Sequence, residues 1–288
     1  MLSAYFGGVG IDSFAVLKYT DCREINERLR LTLDFTPKSA VIFLVPYYGG
    51  ETVNISRYAA SLDYHLILRE ITEGLANHLK TVFPDAHFAG YGDHSPIDEV
   101  GAALISGLGM IGDNGLIISP KYGSYVFIGD LLTDIDPERL GAVTPMQPAE
   151  CLHCGACKRA CPTGILRGEG DDCLSAITQR KGEITQEEKE LMRKYNTAWG
   201  CDVCQSVCPY NKSPKLTPVP FFYRERIREL TLEILNGMTR VEFSRRAFAW
   251  RGRKTVERNL KSKKHISSKR LFLPMGLQCF TVRIIFKT

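Results

Sequence analysis

The sequence has no long apolar run. The longest clean one, at 40–45, is far too short to span a bilayer. The first twelve residues, M-L-S-A-Y-F-G-G-V-G-I-D, lack both a basic n-region and a sustained apolar core. They do not read as a secretory signal, so a reducing, cytoplasmic setting is expected. No strong net charge is present either: 37 Lys and Arg stand against 32 Asp and Glu, a balance of +5. No internal repeat is visible apart from two runs of cysteine. Disorder is not the default, because 44% apolar residues support a core. A length of 288 residues allows one large or two ordinary domains.

What is abundant is cysteine, and it is concentrated. C-L-H-C-G-A-C-K-R-A-C-P at 151–162 places Cys151, Cys154, Cys157 and Cys161 in the spacing C-x2-C-x2-C-x3-C-P. That is the iron–sulfur run of bacterial ferredoxins, in which the fourth cysteine ligates the other of two clusters. C-D-V-C-Q-S-V-C-P at 201–209 adds Cys201, Cys204 and Cys208. Two cubane clusters need about eight ligands, and Cys173, between the runs, is the obvious eighth. Cys151, Cys154, Cys157 and Cys208 are assigned to one [4Fe-4S] cluster, and Cys161, Cys173, Cys201 and Cys204 to the other. Disulfides would need an oxidising compartment. Two structural zincs could each use four cysteines, but the x3-C-P ending is not a zinc-ribbon habit. Cys22 and Cys279 have no partner spacing and read as ordinary free thiols.

Around the cysteines the chain divides into 1–140, 141–220 and 221–288. In the first part, S-A-V-I-F-L-V-P at 39–46 predicts a buried strand. Leu62, Leu66, Ile71, Leu75, Leu79 and Val82 predict an amphipathic helix over 58–82. A second helix is expected over 96–106, and two strands at 116–119 and 125–132 joined by a P-K-Y-G-S turn. Three prolines make 134–150 a linker. A helical insert is expected near 185–195. Beyond 221 the chain is basic and mostly helical, with 15 Lys or Arg against 5 Glu over 223–270. After about 262 a charge run gives way to an apolar, β-prone tail.

Gly107-Leu-Gly-Met-Ile-Gly112 matches G-x-G-x-x-G letter for letter. The dinucleotide fingerprint needs a strand before it and a helix after it. Here the expected order is the reverse. Gly107, Gly109, Gly112 and Gly115 instead let the backbone lie flat against something large; a plain tight turn is the other reading.

G-D-H-S-P-I-D-E at 92–99, G-L-G-M-I-G-D-N at 107–114, S-R-Y-A at 56–59, D-Y-H at 63–65 and the eight cysteines together resemble the epoxyqueuosine reductase family, from about Gly10 to Leu260. The resemblance implies an oxidoreductase that uses cobalamin and two [4Fe-4S] clusters to reduce epoxyqueuosine to queuosine in tRNA. The fold it implies is α/β (α+β): a corrinoid-binding catalytic domain over 1–140, a ferredoxin-like two-cluster domain over 141–220, and a basic helical segment with an atypical tail over 221–288. Asp93 falls on the family's catalytic acid, which is expected to be protonated because burial beside a corrinoid raises a carboxyl pKa. Ser95, Pro96, Gly112, Asn114 and Leu116 fall in stretches that line the corrinoid, as do Arg57, Tyr58, Ser175 and Asp202. The implied partners are the anticodon loop of a tRNA with a queuosine-family wobble base and an external low-potential electron donor. No membrane is implied, and a monomer is expected. The family usually reads G-W-I-G-K-N where this chain has Met110 and Asp113, which weakens the expected tRNA grip. Many members also carry a C-terminal helical-repeat domain that holds tRNA, and this sequence ends before one.

From residue type alone, Asp93 in Y-G-D-H-S-P would be a turn residue. His94 reads as a solvent-facing turn histidine, His65 as a core histidine, and His153 as a group that tunes solvent access to a cluster. The stretch 243–259 interleaves arginines with Phe243, Phe248 and Trp250. It is either a phosphate- and base-binding face or a solvated helix face over core aromatics. Two other activities fit the motifs: a corrinoid and iron–sulfur reductase for another small substrate, such as an organohalide, and a two-cluster electron-transfer protein. Anaerobic reconstitution is expected to load about eight iron and eight sulfide per chain. Cys173→Ala is expected to lose or damage one cluster, read by iron content and visible spectrum. A full iron complement in that variant would overturn the ligand assignment.

Overall fold

The structure is a computed structural model and describes residues 1–262; the atypical tail and Cys279 lie outside the described residues. Seven strands are present among them: β1 (Phe14–Lys18), β2 (Ser39–Pro46), β3 (Phe88–Tyr91), β4 (Met110–Ile111), β5 (Ile117–Ile118), β6 (Val126–Thr133) and β7 (Ala149–Glu150). The main sheet has the order β1-β2-β6-β3 and is antiparallel throughout. Every residue of β2 is buried. Side chains alternate across a strand, and here both faces are covered. Val41, Phe43 and Val45 pack with Ile67, Leu68, Ile71, Leu75 and Leu79 of the helix Tyr64–Lys80. Ala40, Ile42 and Leu44 pack with Ala102, Ala103 and Leu104 of the helix Glu99–Ile105. That two-sided burial explains why 39–46 reads as an unbroken apolar run rather than an alternating one.

Both helices start later than their hydrophobic spacing suggests, because a cap fixes each start. Asp63 accepts from the His65 amide at 3.0 Å, and Asp98 accepts from the Gly101 amide at 3.0 Å. Residues 57–59 form a separate 3-10 turn, and Leu62 is buried in a bridge to Arg246. The helix ends at Lys80, leaving Val82 exposed.

The two strands expected at 116–119 and 125–132 are present and joined by a turn that the Ser119–Gly123 bridge closes, but they pair with other strands. β5 pairs antiparallel with β4, and β4 pairs in parallel with β7. β6 leaves for the main sheet. The cause is a polar knot at the turn. Asn211 Oδ1 accepts the Ser124 amide at 2.9 Å, while its Nδ2 donates to Ser124 Oγ at 2.8 Å and to the Gln205 carbonyl at 2.9 Å. Gly123 sits at φ +62, where a Cβ would collide with Asn211 Oδ1. Only glycine meets both demands. The knot also ties the cysteine-rich segment to the sheet.

That segment is built of short helices, among them Ala156–Ala160, Leu174–Gln179 and Val203–Ser206. The expected insert is the helix Gln186–Lys194, started by a capping box between Thr185 and Glu188. The C-terminal part wraps Trp199, which is fully buried with Leu235, Phe248, Val256 and Leu260. No described helix is long and apolar enough to cross a membrane. Asn211→Leu should strip partners from the buried Ser124 groups and destabilise the fold by about 1–3 kcal/mol. A lower urea midpoint at unchanged slope is the expected readout. An unchanged midpoint would show that the knot contributes nothing.

Candidate active site

A trough opens on one side of the main sheet. Ser124, Val126, Phe127 and Ile128 form one wall, and Gly115, Leu116 and Ile117 the other; Tyr64, Asp93 and Glu99 stand at its edge. The Tyr64 ring stacks on Phe127 at 4.1 Å with an interplanar angle of 12°. The trough is therefore flat where these rings stack and largely apolar, with Ser124 in its wall and the other polar side chains at its edge.

Asp93 follows β3 at φ 75, a left-handed conformation uncommon for a residue with a Cβ. Its amide donates to Glu99 Oε1 at 3.1 Å, and its Oδ2 accepts from the Tyr64 hydroxyl at 2.8 Å. His65 Nε2 lies 3.7 Å from the same oxygen, a charge contact rather than a hydrogen bond. The other imidazole nitrogen meets Asp63 Oδ1 at 2.7 Å. Bonding to Asp63, and then to Asp93, raises the His65 pKa from 6.5 to about 9. His65 in turn holds the Asp93 carboxyl below its usual range, against the opposing pull of burial and with help from Tyr64. One expectation is corrected here: His65 is not a core histidine but a half-exposed charge partner. The Asp93 side chain is 66% exposed, and its own protein contacts favour the carboxylate; the expected rise depends on burial beside a corrinoid. His94 is exposed, as a turn histidine should be.

Behind the loop Gly112–Ile118 lies a second cavity. Cys151, Cys154, Cys157 and Cys208 line it together with Gly112, Asp113, Asn114 and Ile118. These four thiols are the set that spacing assigned to one cluster. None is in a disulfide, and a soft all-sulfur donor set around one apolar cavity fits a [4Fe-4S] cluster. Of the other set, Cys173, Cys201 and Cys204 are close enough to perturb one another electrostatically. Cys161 is buried. Burial works against its thiolate, but amides of Leu166, Thr163 and Gly164 and the Thr163 hydroxyl outweigh that and lower its pKa. Such a nest suits a bound thiolate. Asn114 connects the two sets, lining the first cavity while its side chain favours the Cys204 thiolate. Asp113 also stays within this region, 2.8 Å from His153 and 3.4 Å from Lys158. Its charge is met there rather than in the trough. Cys22 packs against the core, its thiol pushed up to about 12 by burial.

The remaining candidates disperse. Ser95 is buried and donates to Asp130 at 3.1 Å, and the Pro96 carbonyl accepts from Ile25 and Asn26. Arg57 and Asp202 bind each other at 3.1 Å and border a different cavity, beside Cys201. Tyr58 accepts from Trp199 Nε1 at 2.9 Å. Ser175 accepts from Gln179 at 2.9 Å. The structure thus brings Asp93 and Leu116 together in the trough, and Gly112 and Asn114 in the cysteine cavity. The glycine loop does lie flat, but against its own chain. A Cβ at Gly109 would press on Ile117 and the Ile118 carbonyl, and one at Gly112 on Asn114 and Ile118. Only Gly115 faces open space, at φ +77. A planar macrocycle fits the trough: flat apolar walls, an unobstructed backbone at Gly115, and an acid at the rim. Tyr64, Glu99 and Phe127 escaped the sequence reading. D-Y-H was a signal for the first, since an Asp cap leaves the next two side chains at the mouth of the helix.

Residues 150–211 match the model of the 4Fe-4S double cluster binding domain. The epoxyqueuosine reductase of Listeria monocytogenes is 36% identical over 223 residues, 73% of this chain and 56% of the relative. That of Bacillus subtilis is 34% identical over 209 residues, 68% and 52%. The chain spans about half the length of the curated relatives it matches. Among solved structures, an epoxyqueuosine reductase with an epoxyqueuosine-modified tRNA-Tyr stem loop superposes with a TM-score of 0.73 at 25% identity, over 91% of this chain and 79% of that one. A Bacillus subtilis epoxyqueuosine reductase, solved with an aspartate-bearing catalytic loop swung out of its active site, gives 0.72 at 25%, over 91% and 79%.

The Asp63–His65–Asp93 chain has a direct test. His65 should titrate near 9 by NMR rather than near its ordinary 6.5, and Asp93→Asn should lower that value. Its pairing should stabilise the fold fully below about 6.5, and the gain should be lost as pH rises through about 9. Titration at the ordinary value in the wild type would dissolve the chain of contacts.

Proposed function

The chain belongs to the epoxyqueuosine reductase family, and from that premise we propose that it reduces epoxyqueuosine to queuosine in the anticodon loop of tRNA. The observation that carries the reading is the series of sites across the loop Gly112–Ile118: acid and trough on one side, four thiols on the other. Residues 1–140 would form the catalytic unit and 141–220 the two-cluster unit.

The reaction breaks both C–O bonds of an epoxide, leaves an alkene, and releases water after taking up two electrons and two protons. When bound, cobalamin and the two clusters would supply the electrons, drawn singly from an external low-potential donor. Cys151, Cys154, Cys157 and Cys208 would hold one cluster, and Cys161, Cys173, Cys201 and Cys204 the other. Val126, Phe127, Ile128 and Leu116 would seat the macrocycle and keep water from its face. Asp93 touches the substrate side of the trough. At rest its carboxylate is flanked by two proton carriers, the His65 imidazolium and the Tyr64 hydroxyl. Asp93 would pass a proton to the departing oxygen and recover it from His65.

The basic stretch splits its roles. Phe243 and Phe248 join the Trp199 cluster. Arg246 is buried and donates to the Glu225 carbonyl at 2.6 Å, so it is not a phosphate ligand. Trp250 is exposed with the Arg251 guanidinium 3.6 Å from its ring centroid. That pair would offer an unpaired base a stacking surface.

Reconstituted enzyme, reductant and epoxyqueuosine tRNA should give queuosine by nucleoside mass spectrometry. Asp93→Asn should retain iron and cobalamin but lose about 10²–10⁴-fold in rate, the usual contribution of a positioned acid. Undiminished turnover by that variant would remove Asp93 from the mechanism. A fully loaded wild type that makes no queuosine would point to another small substrate.

A further inference from the structure

The reaction read above consumes two protons, and Asp93 can pass only one at a time. The trough contains one other carboxyl, Glu99. Its setting is the opposite of that of Asp93. Glu99 Oε1 accepts the Asp93 amide at 3.1 Å, and behind it, within hydrogen-bond reach, is the carboxyl of Asp130 on β6. Asp130 has no exposed surface. Its Oδ2 accepts from Ser95 at 3.1 Å, while its Oδ1 is buried without a donor. A proton shared with Glu99 is the partner that geometry leaves for that oxygen, because two facing carboxylates would repel without water to screen them.

The other groups facing the pair do not supply a charge to hold it ionised. Asp93 and Asp98 approach Glu99 and are both acidic. Arg23 is bound to Asp98 at 2.7 Å, and His65 is paired with Asp63 and Asp93. Cys22 and Tyr91 lie near Asp130, and neither carries positive charge. Among the described residues no Lys, Arg or His pairs with Glu99 or Asp130.

We propose that the Glu99–Asp130 pair stores a proton behind the trough and delivers it through Glu99 as the second proton of the reaction. This rests on the reading of the site as an epoxide deoxygenase. In the step, the O–H bond of Glu99 breaks and an O–H bond forms on the departing oxygen. That oxygen, already protonated once through Asp93, leaves as water. The two electrons come from the external low-potential donor, and Glu99 is left as a carboxylate until reprotonated. Burial is what favours the neutral form of Glu99, while Asp130, sealed from solvent, is the positioning residue that holds the other end of the shared proton. Burial supports the assignment: it raises Glu99 to about 7 and raises Asp130 further, with Glu99 adding to the effect.

The test uses the full chain and two variants. Infrared difference spectra of the protein without cobalamin, taken on either side of pH about 7, should show a carboxylic-acid C=O band that disappears at the higher pH. The band should be absent in Glu99→Gln. In loaded enzyme, queuosine formation should fall tenfold per pH unit well above about 7. Glu99→Gln should be at least tenfold slower on the acid side and should lose that falling limb. Glutamine still accepts the Asp93 amide, so a purely structural role for Glu99 predicts unchanged rate and an unchanged limb. Asp130→Asn leaves Glu99 a weaker amide donor in place of the shared acid proton, favours its carboxylate less, and should move both band and limb to higher pH. A wild-type spectrum with no such band, or one that Glu99→Gln leaves in place, overturns the proton store. Queuosine formation that fails altogether in wild type while the band behaves as described overturns the reaction and leaves the stored proton standing.

Discussion

The ion pair between Arg57 and Asp202 is the contact on which the rest of the molecule depends. Asp202 lies between Cys201 and Cys204, and Arg57 belongs to the N-terminal unit, so the pair joins the cysteine loop to the sheet. Its side chains are 12% and 9% exposed. Such a pair gives little net stability over an apolar contact of the same shape, but removing one member strands a buried charge at a cost of about 3–5 kcal/mol. The surroundings explain why it can be buried. Asp202 also accepts from Ser56 Oγ at 2.5 Å and from the Arg57 amide at 2.7 Å. The Arg57 guanidinium lies 5.4 Å from the Tyr125 ring centroid and bonds Glu51 at 2.5 Å. The network leaves Arg57 Nε buried without a partner, but its other bonds together favour a single arrangement. Redox groups held by these cysteines would need that specification more than stability, since their separation would have to stay fixed. Beside it, the Ser56 amide donates to the Trp199 carbonyl at 2.7 Å. The same residue that anchors the C-terminal core thus sets the depth of the cysteine loop.

How much of this was legible depended on whether the responsible forces are local. The cysteine spacing was, because a cluster dictates sequence separation directly; the four thiols assigned by spacing line one cavity. β2 was legible because burial on both faces leaves an unbroken apolar run. The helix starts were misjudged because a cap outweighs periodicity at a terminus. The two strands about the P-K-Y-G-S turn were legible, but not that they enter different sheets, where Asn211, distant in sequence, takes the Ser124 amide. His65 was misjudged for a related reason. Its apolar neighbours in sequence are core residues, but its partners are Asp63 at the cap and Asp93 on a loop beyond the next strand. Arg246 has the appearance of a phosphate ligand in sequence, yet it is buried on a carbonyl. Charge patterns reveal composition and not direction.

The glycine loop shows how a motif can be right about backbone approach and wrong about its target. Gly109 and Gly112 bring the chain onto Ile117, Ile118 and Asn114. Their role is to make residues 112–118 thin. A thin partition has a use here: Asn114 reaches the cysteine side while Gly115 and Leu116 face the trough. Bulkier residues would thicken the wall between the two compartments and separate any groups they hold.

The two carboxyls of the trough are pushed in opposite directions by their surroundings. Asp93 is backed by an imidazolium and a phenol, both of which favour the anion; Glu99 is buried, which favours the acid. Environments that push two titratable groups apart are how one site can run acid and base steps at one pH. The arrangement is mechanically coupled, because the Asp93 amide donates to Glu99. At φ 75 the Asp93 backbone is strained, at a cost on the order of 1–3 kcal/mol, and that bond helps hold it there. The conformation aims the amide at one carboxyl while the side chain turns to Tyr64 and His65. A relaxed backbone at Asp93 would let go of Glu99 or of Tyr64, so the strain sustains the difference between the two acids.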